Sequence, residues 1–443
     1  MLKAFRKLWN DRRGNVIMIA GAALPLVVGA AGLAADTIQW TLWKRQLQRA
    51  ADSAAIAGVY DRVAASGSTA TVPATVSRDL ALNLHTWMGL KSGYPVLAYP
   101  ANSGVMKHQV KVTLAIQRQL PFSSLFINAP TIVANATAAA VPAGGDPCFF
   151  ATEPNAVTGL TFIGNAGIEA PDCDGFSNAS ATDTSVAKGS STVTLNSIGG
   201  VGGVQESNNF HVGSYRPYSP ALEDPFKNVT PSPSDMKCAG HWETKGPKTE
   251  WVNDALTDST DMANAKDING DKANCFTELS VGSSKSLNVP ADYGPIYING
   301  GDAFIQGDLA CTHCTIVLTN KDAASPIGHL KVNASSNINI TAPITGTYKG
   351  IAVFQDRRAP DCNTCNKING NSGSIVQGAI YFPSQELEYN GTGTTSAICT
   401  MFVARRLNFS GNSTTTNKFK KLADCSAFGL PNGLSSTMVR LVA

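Results

Sequence analysis

The sequence predicts a mainly β protein that begins with one long helix, followed by a small α+β region and a large β domain. Three observations lead to this prediction. Residues 15–35 carry no charge and are enough for a helix across a membrane. A helical pattern without proline continues over 36–65. After about residue 140, short apolar stretches alternate with Gly, Asn and Ser, which is typical of short strands joined by turns.

Composition and charge restrict the classes of function. Only 15% of the 443 residues are charged, against about 25% in ordinary soluble domains. The chain is +3 overall and residues 1–13 alone are +4, so the remainder is close to −1. Because no basic face is left, we predict no nucleic-acid partner.

We predict four segments. A cytoplasmic tail covers 1–13, and a transmembrane helix that continues as a helical stem covers 14–66. A small α+β region covers 67–140. A disulfide-rich β domain covers 141–430, with an insertion around 201–275 that is rich in Pro, Asp and Lys.

The apolar helix is predicted to be an uncut anchor. Basic residues precede it, so the N-terminus stays in the cytoplasm and the bulk of the chain lies outside the inner membrane. Gly32 and Ala34 leave a cleavable signal peptide as the alternative. The apolar run is longer than the usual ~7–15-residue core of such a signal, which favours the anchor. Pro25 predicts a kink that membrane helices tolerate.

The run RRGNVIMIAGAALPLVVGAAGLAADTIQWTLWKRQLQRAADSAAIAGV resembles the N-terminal segment of the Tad (Flp) pilus-assembly proteins of the TadE/TadG type. The shared features are Arg-Arg-Gly before the helix, Leu24-Pro25 inside it, Asp36 after it, and a Leu-Gln-x-Ala-Ala-Asp-x-Ala-Ala helix from Leu47. One departure separates the chain from pilins that are processed and polymerised. These carry Glu at the fifth position after the cleavage Gly, where this chain has Ile19.

The middle region is predicted to hold one helix and two strands. The helix is expected within 71–90, with Val76, Leu80, Leu84 and Trp87 on one face. Strands are expected over 110–116 and 131–138. A helix followed by an antiparallel sheet is the order that a pilin-like head implies.

The outer domain is predicted to be all-β from ten short apolar stretches, at 160–163, 193–195, 296–298, 303–305, 316–318, 338–340, 351–354, 379–382, 401–403 and 407–409. A sandwich and a parallel β-solenoid are the two alternatives. The related turns NGNSG (369–373), NGTG (390–393) and SGNS (410–413) favour a right-handed β-helix-like solenoid, since Gly and Asn tolerate left-handed corners.

The segments KGIAVFQDR (349–357), GAIYFPSQELEYNG (378–391) and FVARRLNFSGNS (402–413), with Pro147-Cys148, also resemble Tad-related proteins. This resemblance implies an extracytoplasmic β-rich domain without a defined chemistry. Some longer TadG-like proteins carry a metal-binding von Willebrand A domain. The nearest match to its Asp-x-Ser-x-Ser motif, at 183–187, lacks the last Ser, so that metal site is not expected.

All ten cysteines follow the membrane helix, which predicts disulfides in an oxidising compartment. Sequence order suggests Cys148–Cys173, Cys238–Cys275 and Cys399–Cys425, although connectivity does not follow from sequence. Two CxxC pairs, at 311–314 and 362–365, are predicted to form short-loop or inter-pair disulfides. Zinc binding and thioredoxin-like redox chemistry are the alternatives. The gap between the pairs is long for zinc, and neither pair opens a helix in a βαβ unit.

No catalytic motif is recognisable, and we predict no catalytic, metal or cofactor-binding residue. The best charged cluster is Asp356, Arg357, Arg358 and Asp361, which is either a paired surface turn or part of a carbohydrate-active site. By resemblance, the chain is a non-enzymatic inner-membrane component of Flp pilus assembly or surface attachment, with other Tad proteins or pseudopilins as partners. The alternative is an extracytoplasmic β-helix protein that binds or cleaves carbohydrate.

Overall fold

The computed structural model describes residues 13–143, 146–370, 374–391, 399–411, 414–416, 425, 428–430 and 437–442. Two compact units result. The first unit comprises Met1–Val141 with Met438–Ala443, and the second comprises Pro142–Thr437. The turns predicted at 369–373, 390–393 and 410–413 lie partly outside the described residues.

The helices are α1 (Arg13–Ala64), α2 (Val72–Asn83) and α3 (Ser259–Asn264), and single 3-10 turns cover Ser123–Leu125 and Pro233–Asp235. The strands are β1 (Val96–Ala98), β2 (Lys107–Gln117), β3 (Thr131–Pro142), β4 (Asp146–Ala151), β5 (Leu160–Phe162), β6 (Gly167–Ser177), β7 (Ser185–Ala187), β8 (Thr192–Gly200), β9 (Phe210–Arg216), β10 (Gly240–Lys245), β11 (Lys248–Asn253), β12 (Cys275–Phe276), β13 (Leu279–Val281), β14 (Ser286–Val289), β15 (Gly294–Asn299), β16 (Ala303–Ile305), β17 (Asp308–Thr312), β18 (Cys314–Thr319), β19 (Leu330–Val332), β20 (Ile338–Thr341), β21 (Ile351–Gln355), β22 (Asn366–Gly370), β23 (Ile375–Gly391), β24 (Thr400–Ser410), β25 (Thr414–Thr416) and β26 (Thr437–Leu441).

The first unit packs helices on a small sheet with the order β1-β2-β3-β26. Strands β1 and β3 are both antiparallel to β2. The C-terminal half of α1 lies against this sheet and against α2, and small residues allow a close approach. A Cβ atom at Gly58 would lie 3.0 Å from the Val110 side chain. The predicted long helix is present and continues through Pro25.

Helix α2 is shorter than the sequence predicts. Its buried face includes Val76 and Leu80, as expected, but the helix ends at Asn83. Leu84 is extended, with ψ of 123°, and Trp87 lies beyond the helix. The Asn83 side chain donates to the Asp79 carbonyl at 3.0 Å. Such local bonds from Asn compete with the backbone for carbonyls and favour a helix end.

The second unit is a large β-rich domain, as predicted, and every one of the ten predicted stretches overlaps an observed strand. From β12 to β20, each strand pairs in parallel with the strand three positions later in the chain. For example, β15 pairs with β18 in a register that sets Ile296 beside Ile316. Like residues are therefore stacked across neighbouring strands.

The strand of this unit that comes first in sequence, β4, does not lie at an edge of the sheet. Strand β24 pairs in parallel with β4, the first strand of the unit. Strand β4 in turn pairs with β6, which pairs with β8. The chain thus enters the sheet in its interior, and the strands that come last in sequence join those that come first.

Both faces of the central strands are buried. Phe149 points into one core with Phe162, Phe402 and Phe409, whose rings contact one another in stacked and edge-to-face pairs at centroid distances of 5.2 to 5.6 Å. The next residue, Phe150, belongs to a second core on the other face.

Residues of the connection after β9, including Phe226 and Met236, cover this second core. Residues 210–216 fall inside the predicted insertion around 201–275, yet they form β9 and pair with β8. Part of the predicted insertion is therefore sheet, and part covers the sheet.

Five disulfides join all ten cysteines. Cys148–Cys173, Cys238–Cys275 and Cys399–Cys425 pair as the sequence order suggests. Each CxxC pair closes on itself, Cys311 with Cys314 and Cys362 with Cys365. With these sulfurs bonded to each other, the thiolates that zinc would need are not available.

Candidate functional site

The N-terminal half of α1 presents an apolar surface. Helix α1 contains the one candidate membrane span found among the described residues, which starts at Met18. Its large exposed side chains are Met18, Ile19, Leu24, Leu26, Val27, Val28, Leu33, Ile38, Trp40 and Leu42. A continuous apolar helix surface of this length is suited to lipid or to other membrane helices.

Asp36 marks the change from the exposed half of α1 to the packed half. Its side chain is 3% exposed and accepts the backbone N–H of Phe122 at 2.9 Å. The N–H and hydroxyl of Ser123 also donate to this carboxylate. Asp36 therefore fastens α1 to the connection between β2 and β3. The sequence placed Asp36 in a family pattern but did not reveal this role.

Beyond Asp36, α1 becomes part of the core of the first unit. The buried side chains are Trp43, Leu47, Ala50, Ala51, Ala54, Ala55 and Val59. Five of the seven are Leu or Ala, which favour helix and allow close packing. One helix thus supplies an exposed apolar segment that is long enough to span a membrane and a packed element of a folded unit.

The four charged residues that the sequence singled out do not form one cluster. They belong to three separate ion-paired groups in the second unit. Asp356 pairs with Arg358 at 2.8 Å and also accepts the Thr319 hydroxyl at 2.7 Å. Arg357 pairs with Asp224 at 3.0 Å, on the connection after β9. Asp361 belongs to a third group, described next.

Glu153 is the centre of that third group, and the sequence analysis missed it. Its carboxylate is fully buried and accepts bonds from Arg405 at 2.8 Å and from Arg406. Both arginines also pair with Asp361, and Arg406 lies 3.5 Å from Glu386. These residues join β24 to the segment after β4. No local pattern reveals Glu153, because its arginine partners lie 252 and 253 residues away.

The electrostatics favour charged forms in both buried groups. Burial acts to raise the pKa of Glu153, but hydrogen bonds from Arg405, the Asn155 N–H and Arg406 outweigh it and lower the pKa. Burial likewise opposes ionisation of Asp356, and bonds from Arg358 and Thr319 lower its pKa. A general acid needs a raised pKa, so neither carboxyl is tuned for that role.

Two grooves lie beside charged residues of the second unit. One, of about 320 Å³, is lined by Asp356, Arg357 and Arg358 among others, and Asp356 is its single carboxylate. The other, of about 480 Å³, contains Asp235 and Asp292. Asp292 lies 2.8 Å from Nδ1 of His313. The described residues hold no group of three or more His, Cys, Asp or Glu that could bind a metal.

Comparison with known proteins gives one family match. Residues 14–65 match the family model described as "Putative Flp pilus-assembly TadE/G-like". The predicted TadE/G-like resemblance of the N-terminal segment is therefore confirmed. No curated protein matches the chain.

Among solved structures, the crystal structure of competence-associated pilin ComZ from Thermus thermophilus is similar at 11% identity. The match covers 89% of this chain and 98% of that one, with a TM-score of 0.31. A likeness at this TM-score carries no argument about the fold or the function of this chain.

Proposed function

We propose that this chain, which carries a TadE/G-like segment over residues 14–65, is a membrane-anchored, non-enzymatic component of Flp pilus assembly or surface attachment. The observation that carries the proposal is the position of that match. It covers α1, whose N-terminal half is apolar and exposed and whose C-terminal half is packed into a folded unit. The chain belongs to the TadG-like type within this proposal, because Ile19 replaces the Glu of polymerising pilins.

The proposed location is the inner membrane, with the N-terminus in the cytoplasm, the apolar N-terminal half of α1 in the bilayer and the rest of the chain outside. The basic residues before α1 support this orientation. Five disulfides support an oxidising compartment for the second unit.

We further propose that the second unit is a right-handed β-helix-like solenoid. From β12 to β20, parallel pairing of each strand with the third strand after it supports a chain that returns beside its own start once per coil. The aligned apolar residues between paired strands support the same architecture.

The exposed half of α1 is the proposed surface for lateral contact with other Tad proteins or pseudopilins. Gly21 and Gly29 have no atom within 4 Å of a Cβ built on them, so a partner helix is free to approach closely there.

The proposal is tested by purifying the full chain from gently solubilised membranes of cells that make the whole pilus system. We expect Tad proteins to co-purify, and we expect Gly21→Leu with Gly29→Leu to reduce their yield at least fivefold while the chain stays in the membrane fraction. Val27→Leu is the control, since it enlarges an already large side chain. Recovery of the wild-type chain in the soluble fraction would contradict the anchor.

A second candidate function rests on the groove that contains Asp235 and Asp292. Carbohydrate-active proteins use paired carboxylates in such grooves. Binding of acidic or neutral oligosaccharides that is lost in Asp235→Asn and Asp292→Asn, and kept in Asp308→Asn on β17, would favour it. Equal behaviour of all three variants would remove this candidate.

A further inference from the structure

The connection between β2 and β3 exposes three consecutive large apolar side chains. Leu125 is 76% exposed, Phe126 is 75% exposed and Ile127 is 58% exposed. The surrounding stretch, residues 119–130, contains no charged residue. A soluble surface loop is normally polar, and contiguous exposed apolar groups mark contact with a partner or a membrane.

The position of this loop along α1 is fixed by two contacts. Asp36, the first charged residue after the uncharged run 15–35, accepts the backbone N–H groups of Phe122 and Ser123. The ring of Phe122 lies against Gly32, where any side chain would overlap it. Gly32 is one helical turn, about 6 Å, closer to the middle of the apolar segment than Asp36. The loop therefore lies beside the end of the apolar segment and not beyond it.

Residues typical of a membrane surface lie at and beyond this level. Trp40 is 40% exposed and follows Asp36 by about one turn of α1. The Arg118 guanidinium lies 5.1 Å from the centre of the Trp87 ring and 6.0 Å from that of Trp43. Trp and Arg are enriched where a membrane protein crosses from lipid to water.

We propose that residues 122–127 form a second membrane contact, which inserts Leu125, Phe126 and Ile127 into the lipid interface beside α1. This inference rests on the membrane anchor in the proposed function. The occupant of the apolar patch is lipid and not a protein partner, because the patch continues the surface of α1 at the depth where that surface leaves the bilayer. Two contacts, a helix and a loop beside it, restrict the tilt of α1 and the orientation of the first unit.

The test places a tryptophan in the loop and a matched one outside it. The full-length chain carrying Phe126→Trp is reconstituted into phosphatidylcholine vesicles whose acyl chains are brominated near the headgroup. Leu82→Trp on α2 is the control, because Leu82 is also apolar, lies in the same unit and is 81% exposed. After subtraction of the wild-type signal, we expect bromine to quench the added fluorescence at least twofold in Phe126→Trp and to leave Leu82→Trp unchanged.

A second measurement needs no substitution. Wild-type chain in vesicles containing a phospholipid with a photoactivatable diazirine on its acyl chain should be labelled at residues 125–127, besides α1, when digested and analysed by mass spectrometry. The Leu125→Ser, Phe126→Ser, Ile127→Ser variant should lose the loop label and keep the α1 label.

Flotation of the same vesicles separates this inference from the proposed function. If the chain floats with lipid but the loop is neither quenched nor labelled, the anchor stands and the second contact is wrong. Equal quenching of Phe126→Trp and Leu82→Trp would also overturn it, since the whole unit would then lie on the membrane. Failure to float would overturn both the anchor and the loop contact.

Discussion

At the scale of single residues, the second unit depends on a buried carboxylate whose partners come from another part of the chain. Glu153 accepts bonds from both Arg405 and Arg406. Removing one member of a buried ionic group leaves the others unpaired, which costs about 3–5 kcal/mol. We expect Glu153→Gln to lower the free energy of unfolding by about 3 kcal/mol, measured by calorimetry of the full chain in detergent. The exposed Glu250→Gln should change it by less than about 0.5 kcal/mol.

The same group predicts a dependence of stability on pH. The pKa of Glu153 is lowered in the folded chain, so the folded state binds the proton less readily than the unfolded chain. The stability that this group contributes is present above the unfolded pKa, near 4.5, and is lost as pH falls through the lower folded pKa. The difference in unfolding temperature between wild type and Glu153→Gln should therefore shrink below pH 4. A constant difference from pH 7 to pH 3 would contradict this assignment.

At this scale, a contact could be predicted from the sequence only when its two residues are close together in the chain. The pairing of Asp356 with Arg358 is local and was among the alternatives that the sequence offered. Glu153 with Arg405 is not local, and no pattern of spacing connects them. Asp36 had a recognisable position after the apolar run, but the backbone N–H groups of Phe122 and Ser123 that donate to its carboxylate are brought there by tertiary packing.

At the scale of elements, α1 was the most predictable feature, because hydrophobic length and helical spacing extend over many residues. The change from exposed to packed residues within one helix depends instead on what the helix contacts. Ala54 is fully buried against the first unit, whereas Ala64 at the end of α1 is exposed. The strands of the second unit were also found from local pattern, since each combines apolar residues with a nearby turn signal.

This difference within α1 gives a matched test. Inserting a larger side chain into a filled core usually costs about 1–3 kcal/mol. Ala54→Leu should lower the unfolding free energy of the full chain in detergent by that amount, and Ala64→Leu should leave it within about 0.5 kcal/mol. The two variants carry the same chemical change on the same helix. Equal unfolding temperatures would mean that the C-terminal half of α1 is not packed as described.

At the scale of the whole molecule, the order of strands in the sheet was beyond sequence reasoning. Short strands with Gly and Asn corners favoured a solenoid over a sandwich, and the parallel ladders support that interpretation. Nothing in the local pattern indicates that β24 pairs with β4, or that residues of the connection between β9 and β12 pack against the second core. These are contacts between segments far apart in sequence, and packing over the second core selects them.

The disulfides close loops of very different length in this architecture, which gives the last prediction. Cys148–Cys173 has a sequence separation of 25, and Cys311–Cys314 has a separation of 3. If cross-links act mainly by restricting the unfolded chain, removal should cost about 3.5 kcal/mol for the longer loop and about 2 kcal/mol for the shorter one.

The paired variants Cys148→Ala with Cys173→Ala and Cys311→Ala with Cys314→Ala leave no free thiol, so calorimetry in detergent compares them directly. The longer-loop variant should unfold at the lower temperature. The reverse order would mean that the short bridge also stabilises the folded sheet directly, beyond its restriction of the unfolded chain, since the two Ala pairs are otherwise the same change at buried sites.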